Sequence, residues 1–314
     1  TAGDRYGDAS GGHARSVVLE YISPNANKPL HLGHLRNAFF GEALARILEA
    51  SGAQVHRVCL VNDRGIAIAK AMLAYRRWGE GETPEGAGKK GDHFVGDWYV
   101  QFEKHASQIL RISAVSPGEV RNENGISFGE LNQKKTKLHE EAQEMLRKWE
   151  ANDPDVRALW TQMTDWVLAG FRESYATLGV AFTKEYRESA IFEEGRAIVH
   201  EALAHGTFAK DERGNVIAPL KERFGMDDKV VERADGTTVY ATQDLALGIE
   251  KARDFHPDRS IIVTGNEQDF YFRQLFAIFE LLGLPWAKRC VHRSYGMVEL
   301  PEGKMKSREG TVVD

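Results

Sequence analysis

His31-Leu32-Gly33-His34 sets two imidazoles three residues apart around a glycine, and Lys304-Met305-Lys306-Ser307-Arg308 gathers three cations in five residues between Gly303 and Gly310. Imidazoles at the start of a helix can donate to phosphate oxygens, the helix amides favour an anion, and glycine lets a nucleotide approach the backbone. Cations on a flexible loop would supply the mobile positive charge that polyphosphate chemistry needs. Together the motifs predict a site for a nucleoside triphosphate. A histidine pair could instead begin a zinc site, but no nearby Cys, Asp or Glu offers a third ligand. Helix-capping histidines and a basic surface loop would each explain one motif without explaining the pair.

The elements that must position these residues read as α/β. Ser16 to Tyr21 is a short β-branched run, SPNANKP is rich in turn formers, and a helical pattern follows from Gly33 to about Ser51. Leu35, Phe39, Ala43 and Ile47 recur every four residues, with Leu44 and Leu48 beside them, and predict the buried stripe of that helix; Gly52 is its expected C-cap. A second strand from Gln54 to Asn62 completes a β-α-β unit, whose strands are expected to be parallel. Downstream, a helix is expected from about Leu159 to Leu178, a strand near Val180–Phe182, and a helix from about Phe192 to His205. Short strands separated by turns follow at Thr207–Lys210, Asn215–Pro219 and Lys229–Val239, the last with an Ala-Asp-Gly turn at 234–236, then a buried strand at Ser260–Gly265 and an apolar helix from Phe270 to Leu282.

Domain organisation follows from shifts in composition. Residues 1–15 are glycine-rich and read as a linker from a further N-terminal domain; 16–75 and 161–300 read as the two halves of a Rossmann-like nucleotide-binding fold with a parallel sheet. The charged stretch 76–160 reads as a mostly helical insertion, its i, i+4 charges marking solvated helix faces. Residues 301–314 read as a signature loop leading to a further domain.

The 314 residues carry 41 Lys and Arg against 46 Asp and Glu, a net charge of −5, which excludes a broadly basic binder of nucleic acid. Cys59 and Cys290 lie far apart in sequence and can form neither a disulfide framework nor a Cys-rich zinc site, in keeping with a reducing cytoplasm. No apolar run reaches the roughly 18 residues of a spanning helix, so no membrane partner is expected.

Four blocks in order, Ser23-Pro-Asn-Ala-Asn-Lys-Pro-Leu-His-Leu-Gly-His-Leu-Arg36, Tyr240-Ala-Thr-Gln-Asp244, Gly265-Asn-Glu-Gln268 and Lys304-Met-Lys-Ser-Arg308, resemble the catalytic domain of arginyl-tRNA synthetases, a class I family. The resemblance implies a ligase that activates L-arginine with ATP and Mg²⁺ to arginyl-adenylate and pyrophosphate, then transfers arginine to the 3′ end of tRNA(Arg). It implies a monomer, no resident metal site, and in many members a need for tRNA even in the first step. Arginine would be held by Glu20, Asn25, Tyr240, Asp244 and Gln268. ATP would meet His31, Gly33, His34, Gly265, Glu267, Met297, Val298 and Lys304. His31, His34, Lys28, Lys304 and Lys306 would act in catalysis. A guanidinium prefers bidentate carboxylates in a dry pocket, which Glu20 and Asp244 could supply. Tyr240 and Asp244 share a face if their segment is helical. Another nucleotidylyl transferase with the same signatures, or a non-catalytic tRNA-binding relative, is the alternative; the first has no reason to carry Glu20, Asn25, Tyr240 and Asp244 together, and intact His31, His34 and Lys304 argue against the second.

The signature loop departs from the usual Lys-Met-Ser-Lys-Ser, with Ser307 where the second lysine is expected. The resemblance points to Lys28, three residues before His31, as the compensating cation, with Lys306 as its rival. Lys28→Ala should slow adenylate formation in the presence of tRNA by about tenfold or more, as for loss of a preorganised charge contact; a near-normal single-turnover rate would assign the role to Lys306.

Overall fold

The computed structural model describes residues 15–111, 128–297, 299–300 and 303–304. In chain order the elements are β1 (Ser16–Glu20), α1 (Leu32–Ala50), β2 (Gln54–Val61), α2 (Ile66–Trp78), α3 (Gly91–Arg111), α4 (Phe128–Glu150) and α5 (Pro154–Leu178). Then come β3 (Lys184–Arg187), α6 (Glu188–Ala204), β4 (Ala209–Lys210), β5 (Val216–Ala218), α7 (Lys221–Phe224) and β6 (Lys229–Glu232). The last are α8 (Tyr240–Phe255), β7 (Arg259–Gly265), α9 (Asp269–Leu281), β8 (Cys290–Tyr295), β9 (Glu299–Leu300) and β10 (Gly303–Lys304). Contacts divide the chain into two compact units. One holds the described residues within Thr1–Pro24, Gly33–Val61 and Val180–Val298; the other holds those within Asn25–Leu32, Asn62–Gly179 and Glu299–Asp314.

The first unit is built on a five-stranded sheet in the order β3-β2-β1-β7-β8, every pair parallel. This is the doubly wound, Rossmann-like arrangement expected from the sequence. β1 is central: Val17, Val18 and Leu19 are all buried, as a parallel strand covered on both faces requires. Burying each such side chain contributes about 1.5–3 kcal/mol. A small antiparallel sheet, β4-β5-β6, leads into α8. The Thr242 hydroxyl donates to the Val231 carbonyl and accepts the Val239 amide at 3.1 Å, tying the first turn of α8 to β6.

Two local expectations need correction. The strand expected near Val180–Phe182 begins instead at Lys184, opposite Val58. Gly179 ends α5 in the left-handed conformation, φ 66°, and the next residues carry the chain from that cap to the edge of β2. The expected stripe of α1 is also not its buried face. Asn37, Ala38, Gly41 and Ala45 are buried, whereas Phe39 and Ile47 are 60% and 66% exposed. The cause is close approach: a Cβ on Gly41 would lie 2.4 Å from Cγ of the Tyr21 ring, so α1 can reach the end of β1 only through small residues. The expected C-cap holds, with Gly52 at φ 90° and its amide bonded to the Glu49 carbonyl at 2.9 Å.

The second unit is helical and takes in the expected insertion within wider bounds. α2 packs against α3 and α4, and α3 against α5. Tyr75, Phe94, Trp98 and Trp166 meet edge to face with centroids 5.4–6.1 Å apart. Asp153 caps α5 by accepting the Asp155 and Val156 amides. No helix of the described residues is long and apolar enough to cross a membrane.

Gly41→Ala should therefore destabilise the protein by about 1–3 kcal/mol through overpacking against Tyr21. Urea unfolding checks this, and an unchanged midpoint would contradict the close approach.

Candidate active site

In a doubly wound sheet, ligands bind beyond the carboxyl ends of the strands, where successive connections leave in opposite directions. Here that point lies between β1 and β7. β1 ends on Glu20, and the chain turns at once through Ile22 (φ 70°) and Ser23 (φ 39°), two non-glycine residues in the left-handed region. Such residues persist only where their surroundings hold them. Asn37 of α1 accepts the Ile22 amide at 2.5 Å and donates to the Val263 carbonyl at 2.8 Å and the Tyr295 hydroxyl at 3.0 Å. One buried amide thus ties together the ends of β1, β7 and β8.

Glu20 is itself buried, and its Oε2 pairs with Lys251 Nζ at 2.6 Å. The Ser23 hydroxyl donates to Glu20 Oε1 at 3.1 Å and accepts the Leu60 amide at 3.1 Å. Removing one partner of a buried ion pair typically costs about 3–5 kcal/mol. Asp244, in the first turns of α8, accepts the Tyr271 hydroxyl. Burial pushes its carboxyl up to about 6; the Tyr271 bond and Lys251 oppose this, while the Glu20 charge adds to it. Burial and the Asp244 charge hold the Tyr271 hydroxyl well above its ordinary value. Tyr240 is on the same helix, as the spacing predicts, but stands 74% exposed at its first residue.

The turn after β7 carries the other expected contacts. Gly265 is buried and Gln268 half-buried, while Glu267 is exposed in a single 3₁₀ turn that opens into α9. A Cβ on Gly265 would lie 2.6 Å from the Met297 sulfur, so these two expected nucleoside contacts adjoin. His292 brackets the turn, with Nε2 2.7 Å from the Thr264 hydroxyl and Nδ1 3.1 Å from Asp269. Arg36 donates to the Gly296 carbonyl at 2.6 Å. Gly33 and His34 lie in the first turn of α1, which contains no acidic residue to compete for an anion.

Asn25, Lys28 and His31 belong to the second unit. Asn25 bridges to Asn62 in parallel, and the Ala26 amide donates to the Asn62 carbonyl at 2.9 Å. Gly96 of α3 admits this segment closely: a Cβ there would lie 2.8 Å from Pro29 and 3.4 Å from the Lys28 Cα. Burial lowers Lys28 from its ordinary value. Burial, and then the Lys28 charge, depress His31 to about 4, so its imidazole is neutral at pH 7 and donates through one N–H. Lys304 lies in β10; Lys306 and Val298 lie outside the described residues.

Sequence reasoning missed Asn37, Lys251, Tyr271, His292 and Gly96. Asn37 carries no local mark, since α1 also holds His34, Arg36, Glu42, Arg46 and Glu49. Lys251 and Tyr271 carry no local mark, since a lysine on a charged helix and a tyrosine in an aromatic run are ordinary. Among the described residues no cluster of three His, Cys, Asp or Glu could hold a metal ion.

Fold and site together define a class I type of nucleotide-binding α/β domain. The family of class I tRNA synthetases (R), catalytic domain, matches residues 2–314, and the chain belongs to it. It is 51% identical over 300 residues to an arginine–tRNA ligase of Phocaeicola vulgatus, covering 95% of this chain and 49% of that protein. It is 43% identical over 312 residues to one of Treponema pallidum, covering 99% and 49%. The chain thus spans about half the length of the curated relatives it matches. Its fold is similar to that of Thermus thermophilus arginyl-tRNA synthetase, with TM-score 0.66 and 19% identity over 98% of this chain and 52% of that one. The Plasmodium falciparum arginyl-tRNA synthetase gives TM-score 0.62 and 18% identity over 92% and 44%.

An NMR titration of the His31 ring should give a midpoint near 4 that rises in Lys28→Met, because the lysine charge is then gone. A midpoint at the free-histidine value of about 6.5 would contradict the burial.

Proposed function

We propose that this chain condenses L-arginine with ATP to arginyl-adenylate and pyrophosphate, and that arginine is then transferred to the 3′ end of tRNA(Arg) in the full-length protein. The observation that carries this reading is a pair of carboxylates, buried Glu20 and half-buried Asp244, gathered by the carboxyl end of the central strand and the first turns of α8. One resident lysine serves the pair, which leaves charge for an incoming cation.

The arginine carboxylate attacks the α-phosphorus in line, an oxygen–phosphorus bond forms, and the bond to pyrophosphate breaks. Such a transfer needs positioning and charge neutralisation more than a covalent catalyst. Glu20, Asn25, Tyr240, Asp244 and Gln268 hold the amino acid, with Tyr240 exposed at the start of α8. Gly265, Glu267, Met297 and Val298 receive the nucleoside. Gly33 and the opening turn of α1 admit the phosphates, His34 and neutral His31 donate to their oxygens, and Lys28 supplies fixed positive charge. Lys304 and Lys306 accompany the departing pyrophosphate. Mg²⁺ on the triphosphate oxygens would add charge neutralisation there, with the phosphates as its ligands in place of a cage of protein side chains.

A thermal-shift panel tests the reading. L-arginine with ATP should raise the melting temperature, whereas lysine, citrulline or pantoate with ATP should not. No response to any nucleotide would overturn it in favour of a non-catalytic relative, and a response to ATP with pantoate would indicate another nucleotidylyl transfer.

The site also predicts a pH dependence. The folded Asp244 carboxyl titrates near 6, so below that pH it takes up a proton and loses the charge that attracts the substrate. The dissociation constant of L-arginine should rise roughly tenfold per pH unit below about 6 and level off above it. Asp244→Asn should flatten this profile in isothermal titration calorimetry; a profile unchanged in that variant would exclude Asp244 as the titrating group.

A further inference from the structure

Lys251 is 3% exposed and Glu20 7%, so each charge depends on the other for compensation. The Glu20 carboxylate is held at both oxygens, Oε2 by Lys251 at 2.6 Å and Oε1 by Ser23 at 3.1 Å. Asp244 differs: its hydroxyl donor Tyr271 is uncharged, and among the described residues Asp244 has no ion-pair partner. Asp244 and Lys251 are both on α8, seven positions apart and so on one face, about 10 Å along the axis. Long side chains lean toward the helix N-terminus, which carries the lysine stem back toward the end of β1, where Glu20 sits. Strand and helix therefore deliver three charges to one place, two negative and one positive.

We infer that Lys251 is a positioning residue of the arginine pocket, fixing Glu20 and balancing its charge so that Asp244 is the carboxylate left to receive the incoming cation. The inference rests on the arginine-activation reading and assigns its specificity. Free arginine carries one net positive charge, because its ammonium and carboxylate cancel, and the pocket carries one uncompensated negative charge when Asp244 is ionised. A neutral isostere such as citrulline would leave Asp244 desolvated without a partner, the condition under which polar recognition discriminates most strongly. Without Lys251, two like charges, one buried and one half-buried, would face one cation, and Glu20 would lose the contact that orients it.

The test is calorimetric binding of a non-hydrolysable arginyl-adenylate analogue, and separately of ATP, to the 314-residue chain. Lys251→Met should weaken the analogue at least about tenfold while ATP affinity stays within about twofold, and Lys251→Arg should restore most of the loss, since only a cation at this position is required. Glu20→Gln combined with Lys251→Met should bind no worse than Glu20→Gln alone, because the lysine acts through the glutamate. Unchanged analogue binding in Lys251→Met would overturn the assignment, as would parallel loss of ATP and analogue without rescue by arginine. If Lys251→Met does not fold, the double variant decides: binding equal to Glu20→Gln supports the assignment, and a further tenfold loss overturns it. Failure of the wild-type chain to bind the analogue would refute the arginine reading itself, a result that the unsubstituted arm alone reports.

Discussion

A carboxylate buried at the end of the most enclosed strand is the constraint on which much of this protein turns. Glu20 follows Val17, Val18 and Leu19 in β1, three buried residues of which the last two have no exposed surface. A charge so placed is tolerable only with a partner. The partner, Lys251, comes from α8, which must lie against β1 at a fixed height, and that height is set by the Thr242 link to β6. The same constraint bends the loop after β1 into left-handed conformations at Ile22 and Ser23, so that the Ser23 hydroxyl can reach Glu20 and meet the Leu60 amide. Strand, helix and strained turn thus converge on one side chain.

Close packing decides the surroundings of that centre more than hydrophobicity does. The strongest apolar stripe of α1 would have turned Phe39 and Ile47 inward, yet the helix buries Ala38, Gly41, Ala45 and the polar Asn37. Small residues let the helix axis approach the Tyr21 ring, and the space gained is used by an amide that joins three strand ends. Gly96 plays a comparable part in the helical unit, where the segment bearing Lys28 rests against its bare backbone. Burial there, with the Lys28 charge, keeps His31 neutral at physiological pH, so the imidazole has one N–H donor and one acceptor nitrogen.

Most of the architecture was legible along the chain. The β1-α1-β2 unit, the strand and helix around Gly265, and the helical stretch between the sheet halves all follow from local periodicity, glycine caps and turn formers. The signature blocks carried the site further, because backbone approach, phosphate contact and carboxylate recognition each demand particular residue types at short spacing. Less legible were features where two distant stretches negotiate a position. β3 starts after Gly179 at the register β2 offers, and Met297 fills the space beside Gly265 from 32 residues further along.

The sequence by itself determined the family and which reactive residue types stand close together, since those rest on motifs whose residues are neighbours in the chain. Tertiary structure alone decided the strand order, the buried face of α1, the ties of Asn37, and the pairing of Glu20 with a lysine 231 residues away. The reason is physical. A local pattern encodes backbone conformation and reactive groups, but burial and charge compensation belong to the assembled interior, where a side chain's partner is whatever the fold brings within 3 Å.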